Sequence, residues 1–274
     1  MVLGSGEARH QGAEPGHLDR RGALGALGLI AVAALVGCET SPAPSGAGGP
    51  TPPAGSSTPT PTDSASAGGN LGPALEVSNG PRTVPAVALT FHGAGDPRLA
   101  ESILAAAEQA AAAVTVLAVG TWLAAYPQMG DRTLSGGHEL GNHTLNHRPM
   151  RTMDEPTAYA EIVGGQNLVR NYVTAPTWFR PSGTPHPTPE ILAAAAQAGY
   201  ATSLGFDVDP RDYEDPGPDA IVSRVLAAAT AGSIVSLHLG HAGTAAAMPA
   251  ILSGLNDMGL APVTVSRLLA GVTP

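Results

Sequence analysis

The chain is expected to fold as an α/β domain, an incompletely closed barrel of seven parallel strands, carried behind a disordered segment. Three observations lead there. From about Arg82 onward, short apolar runs alternate with helical stretches, the pattern of a parallel sheet covered by helices. Seven such units follow one another in about 190 residues, too compact for a closed eightfold barrel of ~250 residues. Between Thr40 and about Gly80 the sequence is almost entirely Ser, Thr, Pro, Gly and Ala. That segment has no apolar cluster to offset the entropy of ordering it, and its prolines keep it extended.

In chain order, the first feature is a basic pair, Arg20-Arg21, before an apolar run from Gly22 to Val36. A basic region, a short apolar stretch and small residues at its exit read as an export signal. The run is shorter than the roughly 20 residues that span a bilayer. It ends in Leu35-Val36-Gly37-Cys38, which resembles the bacterial lipobox, so Cys38 is expected to be lipidated and to tether the chain to the outer face of the membrane. The arginine pair also permits a twin-arginine route. The expected organisation is a signal over 1–38, a linker over 39–80 and a folded domain over 81–274. Cys38 is the single cysteine, which excludes an intrachain disulfide.

Within the domain, Thr83–Phe91 reads as a buried strand and Pro97–Ala112 as a helix, with Asp96 as N-cap and Pro97 in the first helical position. Val114–Val119 is a β-branched strand and Trp122–Leu134 a helix. Further strands are expected near His138–Asn142, Thr177–Arg180, Ala201–Phe206, Ser233–Leu239 and Ala261–Val265. Helices are expected near Asp154–Tyr172, Pro187–Ala198, Asp219–Ala229 and Thr244–Met258. A net charge of -9, with no lysine anywhere, argues against a nucleic-acid partner.

Catalytic groups in parallel α/β barrels sit where strands end. Here His92 ends the first strand, His143 and His147 follow the third, Arg180 ends the fourth, Asp209 and Asp212 follow the fifth, and His238 ends the sixth. His138, His186 and His241 also fall near this rim. The His143/His147 spacing puts two imidazoles on one side of a helical turn, as metal-binding pairs require. Imidazole suits zinc, cobalt, nickel or iron rather than calcium or magnesium.

Five segments together resemble the polysaccharide deacetylase family, the NodB-homology domain of carbohydrate esterase family four. They are Thr90-Phe91-His92-Gly93-Ala94, His143-Thr144-Leu145-Asn146-His147, Arg180-Pro181-Ser182-Gly183, Asp209-Pro210-Arg211-Asp212-Tyr213 and Ser236-Leu237-His238. The resemblance runs from Val84 to Leu269 and implies a distorted (β/α)7 barrel and a divalent metal, zinc first. It also implies deacetylation of N-acetylated cell-wall or other extracellular glycans, such as peptidoglycan or chitin-like oligosaccharides. His143 and His147 would hold the metal, His238 would be the general acid steadied by Asp212, Leu237 would line the acetyl pocket and Tyr213 would wall it. The family's first motif carries two aspartates, a catalytic base and a metal ligand, where this chain has His92 and Gly93. His92 is the positional base.

Three outcomes follow from that change. His92 could be a third metal-binding imidazole, Asp96 could bend inward to replace the carboxylate, or the domain could bind glycans or a partner without turnover. A hydrolase of another amide or ester at a three-histidine site is a further alternative. Arg180, which orients the aspartate in the family, would here turn to Asp209 or to substrate.

Overall fold

The computed structural model describes residues 72–272. The export signal, Cys38 and most of the expected linker lie outside those residues. Regular structure is present before residue 81: Leu75–Val77 form strand β1, paired in parallel with Thr202–Leu204. Three residues embedded in a Gly- and Pro-rich stretch carry too little pattern to be read as a strand. The partner across the ladder decides it.

The remaining strands are β2 (Ala86–Gly93), β3 (Thr115–Ala118), β4 (Glu139–Asn142), β5 (Thr202–Leu204), β6 (Ile234–His238) and β7 (Ala261–Pro262). β2 is central, pairing in parallel with β3 on one side and β6 on the other, while β4 extends the sheet beyond β3. β7 adds to the start of β2 through Ala86 and Val87. The expected strand at Thr177–Arg180 shrinks to one bridging residue, Phe179, which touches Asn142 on one side and Ser203 on the other. Pro176 and Pro181 flank it, and neither can donate to a ladder. A bridge from Val208 to Val235 returns the circuit to β6. The parallel strands thus curl into a distorted barrel, closed on one side by single residues.

Alternation along β2 fixes what faces where. Val87, Leu89 and Phe91 join the cluster under the outer helices, whereas Ala86 and Ala88 belong to the inner cluster with Leu117, Leu204 and Ile234. His92 continues the even-numbered inner column, above Thr90. The same rule on β6 sends Val235 and Leu237 outward and aligns Ser236 and His238 with Ile234. Small residues low in the barrel leave its upper end for polar side chains.

The helices are α1 (Pro97–Gln109), α2 (Gly120–Ala125), α3 (Gln128–Ser135), α4 (Glu155–Val169), α5 (Pro189–Gln197), α6 (Pro218–Ala228), α7 (Ala242–Asp257) and α8 (Val265–Leu269). Asp96 caps α1 through the Arg98 amide, with Pro97 inside the first turn, as its sequence predicts. The single helix expected over Trp122–Leu134 is two helices. Pro127 breaks it, because a proline disfavours helical geometry in the residue before it, here Tyr126. The α4 and α5 helices bury Ile162, Ile191 and Ala194 against Met150, Phe179 and Tyr200. Fully burying an aliphatic side chain of this size contributes about 1.5–3 kcal/mol.

Candidate metal and acid–base centre

The strand ends meet at a cavity of about 520 Å³ whose walls include His92, His143, His147, Arg180, Asp209, Tyr213, Ser236, His238 and His241. A groove of about 410 Å³ between α1 and α7 carries no ionisable side chain.

His143 leaves β4 fully buried, and its Nδ1 donates to the Arg180 carbonyl at 2.9 Å. Its Nε2 is equally buried and has no hydrogen-bond partner. An orphaned lone pair in a dry site is costly for a fold to keep, and a backbone carbonyl fixing the opposite nitrogen is the arrangement of a metal-bound imidazole. His147 arrives beside it with ring centroids 4.9 Å apart. The pair does not lie on a helical turn as the spacing suggests. It lies on a loop whose Thr144 and His147 take φ values of 70° and 57°, left-handed backbone that costs a non-glycine residue about 1–2 kcal/mol.

Contacts to α4 hold that loop. Leu145 N donates to the Glu161 carbonyl, while Asn146 donates from its backbone and its amide to the two Glu161 carboxylate oxygens, both at 2.9 Å. Asn142 accepts from Thr144 N and donates to the Ile162 carbonyl and the Tyr200 hydroxyl. Gly164 and Gly165 let α4 come this close: a Cβ on Gly165 would meet Asn142 Oδ1 at 2.3 Å.

His92 stacks on His143 with centroids 4.0 Å apart and planes 18° apart. Its Nε2 faces Arg180 Nη1 at 3.3 Å and its Nδ1 lies 2.8 Å from His238 Nε2. Arginine can only donate, so His92 Nε2 accepts and the neutral ring carries its proton on Nδ1. That proton is donated to His238 Nε2. The His238 Nδ1–H is then donated to Asp212 Oδ1 at 2.7 Å. Asp212 is fully buried, and its other oxygen accepts from the His238 amide and the Thr244 hydroxyl. Arg180, His92, His238 and Asp212 form one hydrogen-bonded chain with a single consistent set of protons.

Arg180 lies across the barrel interior. It donates to the Leu204 and Gly205 carbonyls and to Thr90 Oγ1, with its guanidinium 5.3 Å from the centre of the Phe206 ring. Burial lowers its pKa to about 9, with Asp209 opposing the shift, so it stays charged at neutral pH. Of the two partners expected for it, Asp209 or substrate, Asp209 is not hydrogen-bonded to it, because the carbonyls at the β5 edge and His92 are nearer partners. Burial, reinforced by neighbouring His143, holds His92 well below the ordinary histidine value; burial does the same to His143, reinforced by His147. His147 is lowered as well, by burial and then His238.

Several expected residues sit elsewhere. Leu237 is buried among Val87, Leu89 and Phe91 beneath the outer helices and does not line the cavity, since strand alternation turns it outward; Ser236 takes the inner position. Asp96 keeps its cap and pairs with Arg98, away from the three histidines. A side chain at Gly93 would collide with β3, where its Cβ would meet Ala118 Cα at 2.9 Å. His138 is at the start of β4, accepting from Val114 N, with its Nε2 3.4 Å from Glu108. His186 pairs with Glu76. Tyr213 stands edge-on to His238 at 5.4 Å, and Asp209, whose side chain accepts from Arg211 N, lines the cavity beside it. His241, already placed near this rim by sequence, lines the wall, and Thr184, Pro185 and Phe206 complete it without having been singled out.

His92, His143 and His147 each place one potential ligand atom within 4.8 Å of the others. A parallel α/β barrel with a histidine cluster and a His–Asp pair at its strand ends is a hydrolase scaffold of a recognisable class, and this chain belongs to the polysaccharide deacetylase family. The model of that family matches residues 79–203. Over 193 residues the chain is 34% identical to the peptidoglycan-N-acetylglucosamine deacetylase of Bacillus cereus, covering 69% of this chain and 90% of the relative. It is 34% identical over 158 residues to a chitooligosaccharide deacetylase of Bradyrhizobium, covering 57% and 71% respectively. Among solved structures, BA3943, a CE4 family pseudoenzyme from Bacillus anthracis, superposes with a TM-score of 0.68 at 22% identity, covering 75% of this chain and 72% of that one. At that identity the likeness is one of fold.

Proposed function

We propose that the protein is a metal-dependent hydrolase that removes acetyl groups from N-acetylated cell-wall or other extracellular glycans, tethered to the outer face of the membrane through a lipid on Cys38. The observation that carries the catalytic part is the unpartnered, buried His143 Nε2, set beside His147 in the cavity that also holds the His238–Asp212 pair. His143 and His147 would hold the ion. His92 is available as a third ligand through Nε2 only by releasing Arg180. A zinc ion, or cobalt, nickel or iron in its place, supplies Lewis-acid polarisation of the acetamide carbonyl and of water.

The chain's own residues then move one proton from water to the leaving amine. Once Arg180 Nη1 has let go of His92 Nε2, that nitrogen takes the proton of the attacking water and the ring releases its Nδ1 proton across 2.8 Å to His238 Nε2. Asp212, held by Thr244 and the His238 amide, steadies the imidazolium. His238 passes its proton to the amine nitrogen as the C–N bond breaks, leaving a free amino sugar and acetic acid, which ionises to acetate in solvent. Arg180 holds the resting His92 ring, and Tyr213, Ser236 and Asp209 shape the wall. Placing His92 and Gly93 where the family's first motif has its aspartates makes this a histidine-based variant of the family's base.

A second reading, a glycan- or partner-binding domain without turnover, is favoured by one feature: both ring nitrogens of His92 already have partners. Metal analysis of the purified chain and acetate release from chitooligosaccharide or peptidoglycan separate the two. Stoichiometric metal with acetate release abolished in His143→Ala supports the hydrolase; glycan binding that is unchanged in that variant, with no metal bound, supports the binding domain. Labelling cells with a fatty-acid analogue tests the anchor, and label retained by Cys38→Ala rules it out.

A further inference from the structure

One turn at the cavity edge supports two histidine–aspartate pairs. The 3₁₀ turn Asp212–Glu214 presents Asp212 to His238 Nδ1 at 2.7 Å, and the residue after it, Asp215, reaches His241 Nδ1 at 2.9 Å. Two carboxylates three residues apart thus meet two histidines three residues apart, with the rings 5.7 Å apart in an edge-on arrangement. The turn owes its shape to left-handed backbone on both sides, at Arg211 and Asp215.

The inner pair is buried and joined to His92. The outer pair is not: Asp215 is 70% exposed and His241 lines the cavity. Exposed ion pairs contribute about 0–1 kcal/mol, and although His241 is the N-cap of α7, its side chain makes no capping bond. Stability therefore gives little reason for this pair. Its placement is nonetheless built. Gly240 packs on Gly95, where a Cβ would meet Gly240 Cα at 2.5 Å, so the loop carrying His241 is seated directly on the loop after β2. With Nδ1–H committed to Asp215, the neutral ring leaves Nε2 as an acceptor, and that atom has no protein partner among the described residues.

We propose that His241, oriented by Asp215, is a substrate-binding residue whose Nε2 accepts a hydrogen bond from a sugar hydroxyl of the glycan, while His238 serves the amide nitrogen. This rests on the glycan reading above and assigns that site a group able to distinguish a hydroxylated sugar amide from a bare acetamide. Nothing in the step is covalent. The test uses the full chain and N-acetylated chitotetraose, measuring Kd by calorimetry and kcat and KM by acetate release.

His241→Ala is expected to raise Kd and KM about ten-fold with kcat within about two-fold. His241→Gln, whose amide oxygen can also accept, is expected to recover most of that loss, and the Tm of both variants serves as the folding control. Unchanged Kd and KM in His241→Ala, or a fall in kcat with KM constant, overturns the assignment. A wild-type chain that binds the tetrasaccharide but releases no acetate removes the hydrolase reading, while the Kd comparison still decides the role of His241. A wild-type chain that does neither removes both.

Discussion

His143 carries two requirements on one ring: its Nδ1 is spent on the Arg180 carbonyl, and its Nε2 is left dry and unpaired. Replacing it removes the best-oriented ligand of the cluster. His143→Ala is expected to weaken zinc binding by at least about 100-fold in equilibrium dialysis. Treating the wild type with a chelator should abolish acetate release, and adding zinc should restore it; undiminished zinc affinity in the variant contradicts the assignment. The same burial has a consequence for pH. His92, His138, His143 and His147 are held below the usual histidine value of 6.5, chiefly by desolvation. Below that value the unfolded chain binds protons that the folded chain refuses, so the unfolded state carries the excess and stability falls as pH drops through 6.5. The urea midpoint of metal-free protein should therefore decline between about pH 7.5 and 5.5. A midpoint that stays level over that range would show these rings to be ordinary in the folded state.

At the scale of elements, α4 decides where the histidine loop sits. Its paired glycines lower helix propensity by roughly 1 kcal/mol each relative to alanine, and what they gain is the close approach of Asn142, Thr144 and Leu145. In Gly165→Ala the new methyl group would also lie 2.6 Å from the Thr144 carbonyl group. Because the obstruction is backbone, it cannot be relieved by a rotamer change. The expected cost is about 1–3 kcal/mol, read as a lower urea midpoint, together with weaker zinc binding as Thr144 and its neighbours shift. A variant of wild-type stability with intact zinc affinity would mean that α4 can move away freely. The break at Pro127 and the reduced fourth strand follow the same logic: a proline changed the element on each occasion.

For the whole molecule, the barrel is unevenly fastened. β2 is paired along both edges by β3 and β6, whereas the fourth position is a single bridge at Phe179. Local opening follows the weakest ladder, so the amides of Leu204 and Arg180, which bond across that seam, should exchange with solvent faster than those of Leu89 and Phe91. Equal protection across both sets would indicate that the barrel opens as one unit. The seam also lies beside Arg180, whose bonds to the Leu204 and Gly205 carbonyls brace it from inside.

Much of the architecture was legible because it is periodic. Apolar alternation and strand-end placement located the α/β class, the central strand, the cap at Asp96 and the residues His92, His143, His147, Arg180, Asp212 and His238. The strand at Leu75–Val77 was not legible, since three residues in a polar tract acquire their conformation from β5. Nor was the outward turn of Leu237, although the alternation that sends it there is visible in Ile234–His238 once the inner face is known. Sequence by itself determined that the ionisable side chains His92, His143, His147, Arg180, Asp212 and His238 gather at one end of the barrel, because strand period and turn chemistry are local. Only the tertiary structure decided what they do to one another: that His92 bridges Arg180 to His238, that Asp96 stays away, and that His241 stands in the same wall with its own aspartate. Those contacts join residues as far apart as 146 positions, and hydrogen-bond geometry between distant strands is set by how the sheet curls rather than by any pattern along the chain.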